Sequence, residues 1–214
     1  MRIGILGPGE MGGALGKRWA GIGHHLCIAG RTPERAKELA RMIGPNARPG
    51  TMREVVEFAD VVVLAVRYEG VLGTLLEAGA TDGAFIGKVV IDCNNAVETQ
   101  HFTLVTAGGF SLAEQISQTA RGASVVKAFH LCQASVWDMA PPAFDGRPLT
   151  VPICGNEATA KELVSALLQQ MGCKAVDLGP LVQARNLEPM AAVIIKLLFE
   201  GAHPSTNFNL VHIG

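Results

Sequence analysis

MRIGILGPGEMGG, running from Met1 to Gly13, is the stretch on which the fold turns. Arg2 to Leu6 predicts a short buried strand, and Gly7-Pro8-Gly9-Glu10-Met11-Gly12 follows at once. Beyond it, Met11, Ala14, Leu15, Trp19 and Ile22 share one face of a helix. G-x-G-x-x-G placed between a strand and a helix is the setting in which the pattern marks a dinucleotide-binding turn. Gly7 permits the turn, Gly9 lets backbone approach a pyrophosphate, and Gly12 lets the helix lie against the strand. The free N–H groups and the positive dipole end of that helix then receive phosphate. Outside that setting the same glycines would be a tight turn and no more.

Working outward, apolar runs alternate with helical stripes. His25–Gly30 reads as a second strand. Thr32 and Pro33 then open a helix to about Ile43, with Ala36, Leu39, Ala40 and Ile43 as its stripe. A short strand near Arg48–Thr51 and a brief helix to Phe58 lead into Val61–Val66, whose unbroken apolar run predicts a central parallel strand buried on both faces. Gly70–Ala80 predicts helix, Lys88–Cys93 strand, Ser111–Ala120 helix and Ala123–Phe129 a sixth strand. Between them, Asn94–Gly109 is polar and longer than an ordinary connection. This alternation specifies an α/β fold, a doubly wound parallel sheet of the NAD(P)-binding Rossmann type.

Leu131–Arg147, with its prolines, interrupts the rhythm. After it come a strand at Leu149–Cys154, a helix over Ala158–Met171 and a strand at Lys174–Leu178. The last helix, about Ala184–Glu200, is apolar on most sides, which predicts burial in the fold or in an oligomer interface. Gly201–Gly214 reads as loop. We therefore expect an NADP-binding Rossmann domain over residues 1–145, and a small C-terminal α/β domain over 146–214 that completes a cleft.

With 214 residues the chain can bury a core without staples, and its formal net charge of −1 gives no sign of a nucleic-acid or anionic membrane partner. Five scattered cysteines form no C-x-x-C pair, so we expect reduced buried thiols in the cytoplasm, with neither disulfides nor a metal. The strand begins directly at Arg2, leaving no room for a signal peptide, and Val61–Val66 is too short to span a bilayer.

The end of the second strand indicates which dinucleotide is bound. A carboxylate there would accept hydrogen bonds from the ribose hydroxyls of NAD; here stands Gly30, followed by Arg31, Thr32 and Arg35. Arginine's planar fork suits a 2′-phosphate and Thr32 adds a hydroxyl, so the pattern favours NADP(H) over two merely solvated arginines beside Glu34 and Glu38. Catalytic groups are sparse. His130 and Asn94 are the candidates because both end strands at the carboxyl edge, where doubly wound sheets place ligands; each has a plainer role in packing a strand end or shaping a turn. His24 and His25 read as surface residues, Lys196 as a snorkelling charge and Trp137 as packing. The scarcity suits hydride transfer between two cofactor rings, which needs alignment and exclusion of water more than a strong acid or base.

Taken together, IGILGPGEMGGALGKRWAGIGH, GRTPERAKELA, ADVVVLAV, VVKAFH, PLTVPICGNEATAKELVSALLQQMG and VDLGPLVQARNLEPMA resemble the coenzyme F420:NADP oxidoreductases nearly end to end. The resemblance implies a homodimer that passes hydride between NADPH and a deazaflavin. By position, Gly7, Gly9, Glu10, Met11 and Gly12 would line the pyrophosphate, and Arg31, Thr32 and Arg35 the 2′-phosphate. Ala65, Val66 and Arg67 would run along the adenosine and ribose, while Asn94, His130 and Ala134 would face the nicotinamide and its partner ring. Pro8, Glu10 and Leu131-Cys132-Gln133-Ala134 depart from the family pattern and bear on the acceptor, coenzyme F420 or a flavin-like ring in its place. Two other readings stand beside this one: a reductase of a small imine or carbonyl substrate with His130 as proton donor, and a non-catalytic NADP sensor. G-x-G-x-M-G also resembles the β-hydroxyacid dehydrogenases, but their K-x-x-x-N is not reproduced, since Glu200 stands four residues after Lys196.

Overall fold

Each apolar run between the helical stripes becomes a strand of one sheet. The computed structural model describes residues 1–106, 109–144 and 146–202. The first half contains β1 (Arg2–Leu6), α1 (Glu10–Gly21), β2 (His25–Ala29), α2 (Pro33–Ile43), β3 (Ala47–Pro49), α3 (Met52–Phe58), β4 (Val61–Leu64), α4 (Val71–Glu77) and β5 (Val89–Asp92). The second contains α5 (Leu112–Thr119), β6 (Ser124–Lys127), α6 (Ala134–Trp137), a small hairpin of β7 (Ala143–Phe144) and β8 (Arg147–Pro148), then β9 (Thr150–Gly155), α7 (Ala158–Gln170), β10 (Lys174–Asp177) and α8 (Ala184–Phe199). The predicted Gly201–Gly214 loop lies, from residue 203 on, outside the described residues.

The sheet has eight strands in the order β10-β9-β6-β5-β4-β1-β2-β3. β3-β2-β1-β4-β5-β6 is parallel and is the doubly wound order whose direction reverses between β1 and β4, the crevice where such folds bind ligand. The C-terminal β9-α7-β10 unit joins the same sheet: β9 pairs antiparallel with β6 at Val126↔Gly155 and Lys127↔Cys154, and β10 runs parallel to β9.

Two apolar layers flank the sheet. One packs α1, α2 and α7 around Trp19, Phe129 and Trp137, with edge-to-face ring contacts at 5.7 and 5.0 Å. The other packs α3, α4, α5 and the first half of α8 through Val55, Leu75, Ile116, Leu181 and Leu187. Trp137 is thus core, as its sequence context suggested. His24, expected on the surface, is buried. Its ring nitrogens meet the N-terminal amine at 3.2 Å and Gln170 Oε1 at 2.8 Å, so it ties α7 to the start of β1. α8 divides: Ala184, Leu187 and Ala191 are buried, whereas Val193 is 53% and Phe199 71% exposed.

Candidate functional site

The glycine loop has the shape its spacing requires. Gly7 has φ of 121°, and a Cβ there would stand 2.2 Å from Ala65 O; at Gly12 it would stand 2.1 Å from Gly7 O, so both must be glycine for β1, α1 and β4 to meet. A Cβ on Gly9 would touch nothing within 4 Å, leaving that backbone open to a ligand. α1 begins after Gly9 and α2 after Thr32 without a side-chain cap, whereas Thr51 and Ser111 close α3 and α5 with capping boxes. The first amides of α1 therefore remain available to an anion; at α2, Pro33 has no N–H and the Arg35 N–H donates to Thr32 O at 3.1 Å, which leaves the Glu34 N–H.

These loops surround a cleft of about 200 Å³. Its lining gathers Gly7, Gly9, Arg31, Thr32, Arg35, Ala65, Val66 and Arg67, together with Gly30 and Thr74. Arg31, Arg35 and Arg67 all rim it, and none forms an ion pair among the described residues. These three guanidinium groups beside the open N-terminus of α1 make an anion-binding rim.

Across the glycine loop, a second depression of about 520 Å³ is lined by Met11, Ala65–Glu69, Cys93, Asn94, Asn95, Val97 and Thr99. Asn94 therefore stands where the sheet edge faces this depression. Its Nδ2 donates to Leu64 O at 3.0 Å and to Asp92 Oδ1 at 2.8 Å, and its backbone N–H donates to the same carboxylate oxygen at 3.0 Å. The thiol of Cys93 is held protonated, since burial pushes its pKa up to about 12, and Sγ donates to Leu64 O at 2.9 Å.

The structure does not bring the other two residues expected at the reacting rings to this depression. His130 lines a separate cavity of about 50 Å³ with Phe129, Cys132, Trp137 and Thr150–Pro152. Neither of its ring nitrogens has a well-aligned hydrogen-bond partner. Burial, and then the charge of Lys127, holds its pKa well below the ordinary histidine value; the nearby Ala128 and Leu187 backbone only partly opposes this. Ala134 lines a third depression with Glu10, Lys17 and Asp138 between α1, α2 and α6. His130 ends β6 as predicted, but the ring turns into the layer under α6 and β9. Strand-end position alone does not show that.

One set of residues had gone unremarked in the sequence. Lys127, Asp92 and Glu188 are fully buried, with Lys127 Nζ 2.9 Å from Asp92 Oδ2 and 3.2 Å from Glu188 Oε1. Burial by itself lowers the Lys127 pKa, but the two carboxylates outweigh it and hold the ammonium above the ordinary lysine value. The available signal was a charge inside each of two apolar strand runs, KVVIDC and ASVVKAF, because such residues are almost never buried unpaired. No helix among the described residues is long and apolar enough to cross a membrane.

Comparison with known proteins agrees with this geometry. Residues 2–96 match the family described as NADP oxidoreductase coenzyme F420-dependent. The chain is 25% identical to the F420-dependent NADP reductase of Methanocaldococcus jannaschii over 100% of its own length and 99% of that protein's. It is 29% identical to the metalloreductase STEAP3 of Rattus norvegicus over 92% of this chain, but spans only 37% of that longer relative. A crystal structure of a putative F420-dependent NADP-reductase from Arthrobacter sp. FB24 superposes with a TM-score of 0.83 at 29% identity, covering 94% of this chain and 95% of that one. The α/β fold, the glycine loop with its arginine rim and these full-length matches make the chain similar to the coenzyme F420-dependent NADP oxidoreductases, the family whose pattern its residues 2–96 match.

Proposed function

We propose that this oxidoreductase passes hydride between NADPH and the deazaflavin coenzyme F420, or a flavin-like ring in its place. The observation that carries the dinucleotide half is the arginine rim: Arg31, Arg35 and Arg67, with no ion pair among the described residues, stand around the uncapped starts of α1 and α2. In this reading Gly7, Gly9, Glu10, Met11 and Gly12 line the pyrophosphate, Arg31, Thr32 and Arg35 hold the 2′-phosphate, and Ala65, Val66 and Arg67 follow the adenosine and ribose. Asn94 lies along the nicotinamide. When bound, the dinucleotide supplies the hydride; the chain orients it and keeps water away with Met11, Val66 and Val97. The deazaflavin acceptor is supported by the full-length relatives that carry that name. The imine or carbonyl alternative needs a proton donor at the ring, and His130 lines a different cavity.

The division into residues 1–145 and 146–214 belongs to the same proposal. The first part lines all three open depressions; among described residues, the second comes near them through Glu188, behind Asn94. A homodimer that covers Val193 and Phe199 of α8, and a cytoplasmic setting that keeps five unpaired cysteines reduced, complete the reading.

The test is anaerobic NADPH oxidation by the purified protein against deazaflavin, flavins, quinones and small imines. Turnover with deazaflavin or flavin is expected; turnover with imines alone would install the alternative, and binding without turnover would leave an NADP sensor. In parallel, Arg31→Ala with Arg35→Ala should weaken NADPH binding by roughly a hundredfold, as expected for two charge-assisted contacts. An unchanged dissociation constant would remove the 2′-phosphate assignment.

A further inference from the structure

Behind Asn94 lies buried charge that hydride transfer does not consume. Besides approaching Asp92 and Glu188, Lys127 Nζ donates to the backbone carbonyl of Asn94 at 2.5 Å. Two ammonium protons are donated to Asp92 and Asn94 while Glu188 stands within ion-pair distance, and Lys127 is fully buried, so it does not reach a substrate. Glu188 in turn accepts from the Leu112 and Ala113 backbone N–H groups at 2.9 and 3.1 Å, resting its charge on the first turn of α5. Three elements that are distant in sequence, the ends of β5 and β6 and the first half of α8, thus converge on one residue of the depression.

That convergence decides which way the Asn94 amide points. Both Nδ2 protons face acceptors, Leu64 O and Asp92 Oδ1, and a flipped amide would set oxygen against oxygen at both contacts. Its backbone N–H and C=O are taken by Asp92 and Lys127. Oδ1 is the group of Asn94 that has no protein partner among the described residues, and Asn94 lines the depression. A buried ion cluster contributes little net stability beside an apolar replacement; what it can fix is geometry.

We propose that Lys127, with Asp92 and Glu188, is a positioning residue acting through Asn94: it locks the amide so that Oδ1 is a fixed acceptor for an N–H or O–H donor on the nicotinamide half of the dinucleotide. The proposal rests on the NADP reading of the cleft. The donor is either the carboxamide nitrogen or a ribose hydroxyl.

The experiment compares three ligands: NADPH, its 3-acetylpyridine analogue, which lacks the carboxamide donor, and 2′,5′-ADP, which lacks the nicotinamide half. Lys127→Gln should weaken NADPH by about tenfold, the worth of one hydrogen bond to a fixed acceptor, and leave 2′,5′-ADP within about twofold. In an Asn94→Ala background the same substitution should change NADPH by less than about twofold, because the route through Asn94 is already gone. Wild-type protein that binds the analogue about tenfold less tightly than NADPH identifies the carboxamide as donor; equal binding identifies the ribose. Equal losses for NADPH and 2′,5′-ADP, or additive losses in the double variant, overturn the proposal. Wild-type protein that fails to bind 2′,5′-ADP overturns the NADP reading instead. If Lys127→Gln does not fold, Glu188→Gln loosens the same ammonium and carries the same comparisons, with a loss of about threefold on NADPH alone.

Discussion

At Gly30 a Cβ would lie 2.3 Å from Pro8 Cδ, inside a ring that cannot swing away. The missing carboxylate at the end of β2 therefore has a steric cause as well as an electrostatic one: the proline of the glycine loop occupies its place. Gly30→Asp alone should impair NADPH and NADH binding alike, because the loop must move. Pro8→Ala with Gly30→Asp should open the space and shift preference toward NADH by about tenfold or more, read from the two dissociation constants. At His130 the relevant quantity is stability against pH. The folded pKa is depressed and the unfolded value is near 6.5, so the unfolded chain takes the proton first as pH falls. The stabilisation is fully present above about pH 6.5 and is lost on acidification, at up to about 1.4 kcal/mol per pH unit, until the folded pKa is reached. Urea midpoints at pH 7 and pH 5 should therefore differ less in His130→Gln than in the wild type; equal differences would mean other groups set the acid limb.

Among the elements, α5 holds the two sides of the site together. Its N-terminus is closed by Ser111 and Glu114 in a capping box, and Glu114 also takes a two-pronged contact from Arg185 of α8 at 2.8 Å through each nitrogen. That contact, opposed in part by burial, lowers the Glu114 pKa from the ordinary carboxylate value. On the same turn, Glu188 binds the Leu112 and Ala113 amides. Ser111 is buried, so Ser111→Ala removes a cap with no solvent to replace it and should cost about 1 kcal/mol, a fall of roughly 2–4 °C in Tm by calorimetry. No change would mean that Glu188 alone suffices to close the helix. Helix α8 shows why periodicity was ambiguous: with apolar residues on most sides its pattern fitted burial and interface equally, and the fold uses its first half for the core while Val193 and Phe199 stand exposed.

For the whole molecule, local signals and long-range ones divide cleanly. Whether the β9-α7-β10 unit makes its own sheet or extends the first rests on two residue pairs between β6 and β9, and neither strand's sequence names its partner. By contrast Gly7, Gly9 and Gly12 specify their turn through the clashes a side chain would cause within one loop, and the alternation of apolar runs with helical stripes follows from how each short segment buries its own surface. That much, with the arginines after β2 that stand beside the loop in the parallel order, the sequence by itself determined. Which depression receives His130, and that Lys127 closes a charge cluster with residues 35 and 61 positions away, only the tertiary structure decided. A buried charge is satisfied by whatever group the packing of distant elements brings within hydrogen-bond reach, and no local pattern encodes that distance.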